Sequence, residues 1–491
     1  MKNLRTAIFW LLAASLIAAH VIVGWHSLVV MRLWEDEAFN LTVPLNLLAG
    51  LGYTSDGALS GSTLTPFDPR ISTGVSVLLP VAGVLTTGID PVIGARLIPL
   101  AYWVLLLAGL AVLGRRIGGR WAALVALAVP LAFNSALTIS PIQGPADLLG
   151  EIPAAALIVW ALVVLPRRAW LAGLLIGLAV QAKLIALLVL PAFAVALWIL
   201  SPGRGMDRLR ATLKRCWLPL SLVALPTFLV EVAAFVSLGT SGYVDHLRAL
   251  VGFLRSGGQN YEPTTITQKI GTLLDAWFLP WWLTLLIALT ASAFIVGGFM
   301  IARRRAAPEA GAGIPPVVQY SALAAVVGLA AYVGWWATAS HLPLWVRHPS
   351  PGVYAFLPIL AAVAVWGVRM LWQTQIRPAR IAAVAGSALL VLGLGAGGVQ
   401  HASSTFTPGR ETLETQRIIV EPIRVWVAKN DISWLAAQPW GSTAPVIVLS
   451  GAHLGLFDAE AMANVARVTV EPCTTEALVD TGIYRVCAAP E

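Results

Sequence analysis

The sequence predicts a polytopic α-helical membrane protein that carries a small extracytoplasmic α/β domain at its C-terminal end. Three observations support this class. Of 491 residues, 58% are hydrophobic and only 11% charged, with a mean hydropathy of +0.80, a balance suited to lipid contact rather than to a soluble surface. Apolar runs of roughly spanning length recur from residue 6 to residue 399, joined by short loops. From residue 400 charges rise and apolar runs shorten, as in a water-soluble unit. The formal charge of +8 would suggest nucleic acid for a soluble chain. Here Lys and Arg gather in loops between apolar runs, so topology explains them and no nucleic-acid partner is expected.

The crossings follow in order. Lys2 and Arg5 precede the first apolar run, 6–31, and place the N-terminus in the cytoplasm. That run is long, lacks a small-residue cleavage site and is followed at once by acids, so it reads as an uncleaved helix rather than a signal peptide. The segment 32–90 is then a long outer loop. Its apolar run 74–87 reads as an interfacial helix, because counting it as one crossing would move Arg115, Arg116 and Arg120 outside. Further crossings are expected over 91–113, 121–137, 148–165, 169–182, 184–200, 216–238, 276–301, 317–337, 354–371 and 381–399. These make about eleven helices, with every strongly basic cluster on the cytoplasmic side. The chain thus divides into a membrane module, 1–399, and an extracytoplasmic domain, 400–491, in a plasma or inner membrane.

The tail reads as a helix over 411–429, a strand over 445–449, a helix over 458–464 and a strand over 465–470. Cys473 and Cys487 lie on the side expected to be oxidising, where a disulfide is one reading and two buried thiols the other. Cys216 opens a helix at the cytoplasmic face and reads as packing. No CxxC pair, HExxH or Gly-Lys-Ser/Thr phosphate loop occurs, so structural zinc, zincin chemistry and P-loop hydrolysis lack support.

The most informative stretch is Trp34-Glu35-Asp36-Glu37-Ala38, three consecutive carboxylates just past the first crossing with only Arg32 nearby to offset them. A solvated acidic loop is the plain alternative to a site. Other chemistry-bearing residues expected on the same face are Asp56, Asp68 and Arg70 in the first loop, Asp147 and Glu151 at the fourth crossing, Lys183 at a hairpin turn, and Arg347-His348. Glu151 and Lys183 abut apolar helix, where an ionisable group is costly and by default functional or paired; a structural ion pair or a snorkelling lysine is the alternative. Arg347 and His348 form a candidate cationic pair for phosphate, or are simply solvated.

Several short motifs recur in a telling order. Asp36-Glu37-Ala38 is followed by Asn46-Leu47-Leu48-Ala49-Gly50-Leu51-Gly52-Tyr53, then Phe67-Asp68-Pro69-Arg70-Ile71-Ser72-Thr73-Gly74. Gly88 and Arg96-Leu97 open the next crossing, and Gly114-Arg115-Arg116 close it. Gly150-Glu151-Ile152-Pro153-Ala154, Val180-Gln181-Ala182-Lys183 and Arg347-His348 through Tyr354-Ala355-Phe356-Leu357-Pro358 complete the set. This order resembles the membrane glycosyltransferases of the GT-C fold, in the branch with protein O-mannosyltransferases and lipid A aminoarabinose transferases. Residues Pro349 to Gly352 separate Arg347-His348 from Tyr354, where that branch often has an Arg-Tyr pair, so the role of Tyr354 as a site residue stays open. The large extracytoplasmic inserts of the protein mannosyltransferases are missing, which argues against that acceptor.

The resemblance implies a sugar donor on a polyprenyl phosphate and an envelope glycan, lipid or protein as acceptor, with membrane lipids around the bundle. Asp36 is then the general base that takes the acceptor hydroxyl proton in an inverting displacement. Glu37, Asp68, Asp147 and Glu151 orient acceptor or donor sugar, and Lys183, Arg347 and His348 hold the donor phosphate. Clustered carboxylates suit a divalent cation, Mg2+ or Mn2+, whereas the resemblance implies metal independence. A transporter or lipid flippase is the alternative function; it calls for pseudo-symmetric halves and mid-membrane charges, and neither is evident. A non-catalytic assembly protein would leave the acidic cluster dispensable.

Overall fold

A computed structural model describes residues 2–57, 64–256, 262–305, 313–407, 411–439, 441–457 and 459–489. The apolar runs fold as helices. Helix α1 (Lys2–Trp25) ends in a π turn (His26–Val30), and an extended link leads to α2 (Glu35–Leu48). The acidic motif therefore opens a helix instead of lying in a loop. Trp34 caps it in extended conformation, and Glu35, Asp36 and Glu37 fill its first turn, where backbone N–H groups favour negative charge. A two-stranded ribbon, β1 (Thr54–Asp56) with β2 (Leu64–Pro66), precedes the expected short helix α3 (Val75–Leu85).

The bundle continues through α4 (Pro91–Gly118), α5 (Arg120–Ala132), α6 (Glu151–Val164), α7 (Ala169–Ala182), a 3-10 turn (Leu184–Val189) and α8 (Leu190–Leu200). Next come α9 (Gly205–Ser256), α10 (Ile266–Asp275), α11 (Trp281–Arg305), α12 (Pro316–Thr338), α13 (Ser350–Trp372) and α14 (Arg377–Ser404). Each expected crossing overlaps a helix, although α5 stops at Ala132, short of 137, and α11 starts only at Trp281, after 276. Among the described residues, seven helices are long and apolar enough to span a bilayer; α5, α6, α7 and the 3-10/α8 unit are shorter apolar helices at the other expected positions. Helix α9 breaks at Gly239, whose φ of 67° lies where only glycine is unstrained. Trp10, Leu11, Trp217, Phe228 and Val236 are exposed on the bundle, as lipid-facing side chains are.

The basic clusters collect at one end of the bundle. There Arg116 donates to Val163 O, Arg215 to Leu200 O and Pro166 O, and Arg305 to Gln373. The acidic motif, the 133–150 segment, α10 and the loop after α12 meet at the opposite end.

The tail departs from expectation in detail. Helix α14 runs unbroken to Ser404, past the expected end of the last crossing at 399. Helix α15 (Leu413–Lys429) starts on a Thr412/Thr415 capping box. The run expected as a strand over 445–449 is instead a helix, α16 (Ala444–Ser450), started by proline in its first turn and stopped by left-handed Gly451. The helix expected over 458–464 is only a 3-10 turn (Glu460–Met462), with Asp458 outside the described residues. The sheet comprises β3 (Trp434–Ala437), β4 (His453–Leu456), β5 (Arg467–Thr469), β6 (Ala477–Asp480) and β7 (Arg485–Cys487), in the order β4-β3-β5-β7-β6. Strand β5 matches the expected 465–470. Cys473 and Cys487 form a disulfide; Cys216 is a free thiol.

The tail docks tightly on the segment between α1 and α4. Gln416 clasps Leu33 through both backbone groups, each at 2.9 Å. Asp56 accepts from Asn46 Nδ2 (2.8 Å), Leu454 N (2.7 Å) and His453 Nδ1 (3.1 Å), and Arg417 reaches Asp90 at 2.6 Å. Phe39 of α2 enters the tail's core with Val420 and Ile423. The hydrogen bond from His453 to Asp56 raises the imidazole above its ordinary 6.5. A raised folded-state value means that this contact stabilises docking fully below about pH 6.5 and is lost as pH rises through the raised value. Amide exchange of 453–456 is therefore expected to speed up from pH 6 to pH 8 beyond its intrinsic rise, and His453→Ala is expected to remove the excess.

Candidate active site

The three consecutive carboxylates diverge, because adjacent helical positions point about 100° apart. Each meets its own arginine. Glu35 pairs with Arg32 at 3.4 Å, Asp36 with Arg347, and Glu37 with Arg96. The Glu37–Arg96 pair is bidentate, at 2.9 and 2.5 Å, with both side chains 1% exposed. Arg96 also donates to Met31 O (2.7 Å) and Arg32 O (2.8 Å), tying α4 to the link before α2. Glu37 accepts from Leu148 N at 3.1 Å. Its neighbour Asp147 is buried, accepts from Gln143 N, and has one oxygen without a partner among the described residues. Burial first, and the Glu37 charge second, push the Asp147 carboxyl well above its ordinary value. Asn40, one turn along α2, joins Thr73 Oγ1 and Leu148 O.

A second constellation forms where α6 and α7 meet. Lys183 follows α7 in extended conformation; its Nζ lies 2.8 Å from Glu151 Oε1 and donates to Ser72 Oγ at 2.7 Å. Two glycines permit this approach. A Cβ on Gly74 would overlap the Gln181 carbonyl, and one on Gly150 the Ala182 carbonyl. We expect Gly150→Ala to cost about 1–3 kcal/mol and to pull Lys183 from Glu151; an unfolding titration in mixed micelles reads the first effect, and an unchanged midpoint would contradict it.

Arg347 reaches Asp36 from the loop before α13 and lies over the Trp345 ring at 4.9 Å. His348 stacks on the same ring at 5.5 Å, with Nε2 unpartnered among the described residues. Burial, and then the charges of Arg347, Lys183 and Lys269, push its imidazole well below the ordinary range. With its imidazole held below the ordinary 6.5, His348 is neutral at pH 7, and Arg347 alone of the two carries charge there. Asp68 accepts from Ser55 Oγ, Arg70 N and Arg70 Nε, all within its own loop, which anchors the stretch leading to Ser72. Tyr354 donates to Ser135 Oγ at 3.1 Å and faces a cavity of about 260 Å³ shared with Trp103, Asn134 and His401. A groove of about 920 Å³ runs between α2 and the tail. Neither is lined by Asp36 or Arg347.

Among the described residues no group of three or more His, Cys, Asp or Glu is placed to hold a metal. The three carboxylates of the acidic motif are each paired with an arginine.

Sequence reasoning missed Arg96 as a site residue, along with Ser72 and Asn40. An arginine six residues into an apolar helix is itself the signal that could have found Arg96.

No family model and no curated protein sequence matches the chain. Solved structures do. ArnT from Cupriavidus metallidurans in the apo state superposes with a TM-score of 0.59 at 12% identity, covering 99% of this chain and 100% of that one. The same protein bound to undecaprenyl phosphate gives 0.59 and 12%, covering 98% and 99%. The Archaeoglobus fulgidus oligosaccharyltransferase, in complex with Zn and sulfate, gives 0.51 and 12%, covering 91% of this chain and 62% of that one. End to end, the chain has the fold of ArnT, the GT-C fold of membrane glycosyltransferases.

Proposed function

We propose that the chain is an integral-membrane glycosyltransferase that moves a sugar from a polyprenyl-phosphate donor to an acceptor hydroxyl. The observation that carries this reading is the contact of Asp36 with Arg347 on a helix N-terminus, with Lys183 held by Ser72, whose neighbour Thr73 bonds Asn40 one turn along the same helix. A base paired with one cation, and a second cation held on the adjoining stretch, suit attack on a carbon whose leaving group is phosphate. Asp36 takes the acceptor proton as the oxygen attacks the anomeric carbon, the bond to phosphate breaks, and the configuration inverts. Arg347 and Lys183 stabilise the phosphate as its negative charge grows. Glu151 and Ser72 aim Lys183, while Glu37, Arg96 and Asp147 hold the first turn of α2 in place. Neutral His348 adds a hydrogen bond and no charge.

The arginine-rich end is cytoplasmic by the positive-inside rule, which puts the site and the tail outside. A lipid-linked donor suits that side, where nucleotide sugars are absent. The two cations and the fold shared with an undecaprenyl-phosphate-bound protein favour this reading over a transporter or flippase, which would place its charges mid-membrane.

The test is purified protein in liposomes given undecaprenyl-phosphate-linked sugars and cell-envelope extract as acceptor. Mass spectrometry should find undecaprenyl phosphate released as sugar moves to the acceptor. Intact donor merely changing leaflets would favour the flippase instead.

A further inference from the structure

We propose that Arg347 works in two states: it masks Asp36 in the donor-free protein and leaves it for the donor phosphate, so that donor binding uncovers the base. This rests on the glycosyltransferase reading above and adds an order of events to it.

The argument begins with charge. The neighbourhood holds Arg347 and Lys183 as cations and Asp36 and Glu151 as their carboxylate partners, while His348 is neutral. These two pairs cancel. The third cation acting on His348, Lys269, is fully buried and already held by the carbonyls of Trp336 and Ala339, so an incoming phosphate must take a cation from a carboxylate. The two pairs differ in what they leave behind. Glu151 is 1% exposed and one of its oxygens already lacks a partner among the described residues, so losing Lys183 would strand a buried charge. Lys183 is further held by Ser72. Asp36 is 14% exposed and sits in the first turn of α2, where the helix N-terminus supports a lone carboxylate. Arg347 is the cation that can be given up by its partner. It hangs from a loop on a long side chain beside the flat face of Trp345, and its fork suits phosphate better than a single lysine ammonium does.

The consequence is an obligatory order. With Arg347 on Asp36, the carboxylate is occupied and an acceptor hydroxyl has no free base. Once the donor phosphate engages Arg347, Asp36 is released next to the anomeric carbon. Donor binds first, and acceptor is deprotonated only when the donor is present.

Competition between Asp36 and phosphate for one guanidinium can be measured without turnover. Purified full-length protein is titrated with undecaprenyl phosphate, and with undecaprenol as the neutral control, by native mass spectrometry. Asp36→Asn should bind undecaprenyl phosphate about tenfold tighter than wild type, Arg347→Gln should bind it more weakly, and the double variant should match Arg347→Gln alone. Glu35→Gln removes one negative charge from the same turn but leaves Arg347 paired, and should bind like wild type. Asp36→Ser supplies the same arm should the asparagine variant misfold. Equal affinity of wild type and both Asp36 variants would overturn the exchange, as would equal tightening by Glu35→Gln, which would reduce the effect to net charge. Wild type that does not prefer undecaprenyl phosphate to undecaprenol would overturn the glycosyltransferase reading itself, and the exchange with it.

Discussion

Arg96→Leu is expected to destabilise the protein by about 3–5 kcal/mol, because it strands the Glu37 carboxylate in a site 1% exposed. The same change removes the donors to Met31 O and Arg32 O, which fix the link between α1 and α2. Glu37→Gln keeps the shape but leaves the guanidinium uncompensated, and should cost a comparable amount. The double variant Arg96→Leu/Glu37→Leu strands neither charge and should recover part of the loss. Unfolding titrations in mixed micelles would compare the three. A single variant no less stable than the double would show that the pair is not the buried clamp described above. Functionally, the clamp matters because Asp36 is the residue before Glu37: fixing Glu37 fixes the direction in which Asp36 points.

The membrane helices were legible because the bilayer imposes one requirement, a long apolar run with internally satisfied backbone, and the runs are plainly written. The tail was less so. Its strands hold three or four residues each, too few for alternation to show. The run Pro445 to Leu449 is apolar throughout, which periodicity cannot assign, and only the flanking Pro445 and Gly451 signalled a helix. In the site, Asp36, Glu151, Lys183 and Arg347 stood out as charges beside apolar sequence. Their partners did not, because Arg347 meets Asp36 across 311 positions of chain and no spacing encodes such a contact. The same limit hid the docking of His453 on Asp56 and turned three apparently unpaired acids into three ion pairs.

Asp36→Asn is the second large effect and the most direct test of the catalytic account. The side chains are isosteric and the helix N-terminus should accept either, so the variant should still fold, losing only the stability that the ion pair with Arg347 supplies. What it loses is the capacity to take a proton. A positioned general base contributes about 10²–10⁴-fold to rate, and the loss should appear in turnover even though the donor phosphate binds more tightly. The decisive measurement is therefore transfer from an undecaprenyl-phosphate-linked sugar by wild-type and Asp36→Asn protein side by side in liposomes, with donor saturation established for each. The account predicts a fall of at least about a hundredfold in turnover by a folded, donor-binding variant. Near-wild-type turnover by that variant would contradict it.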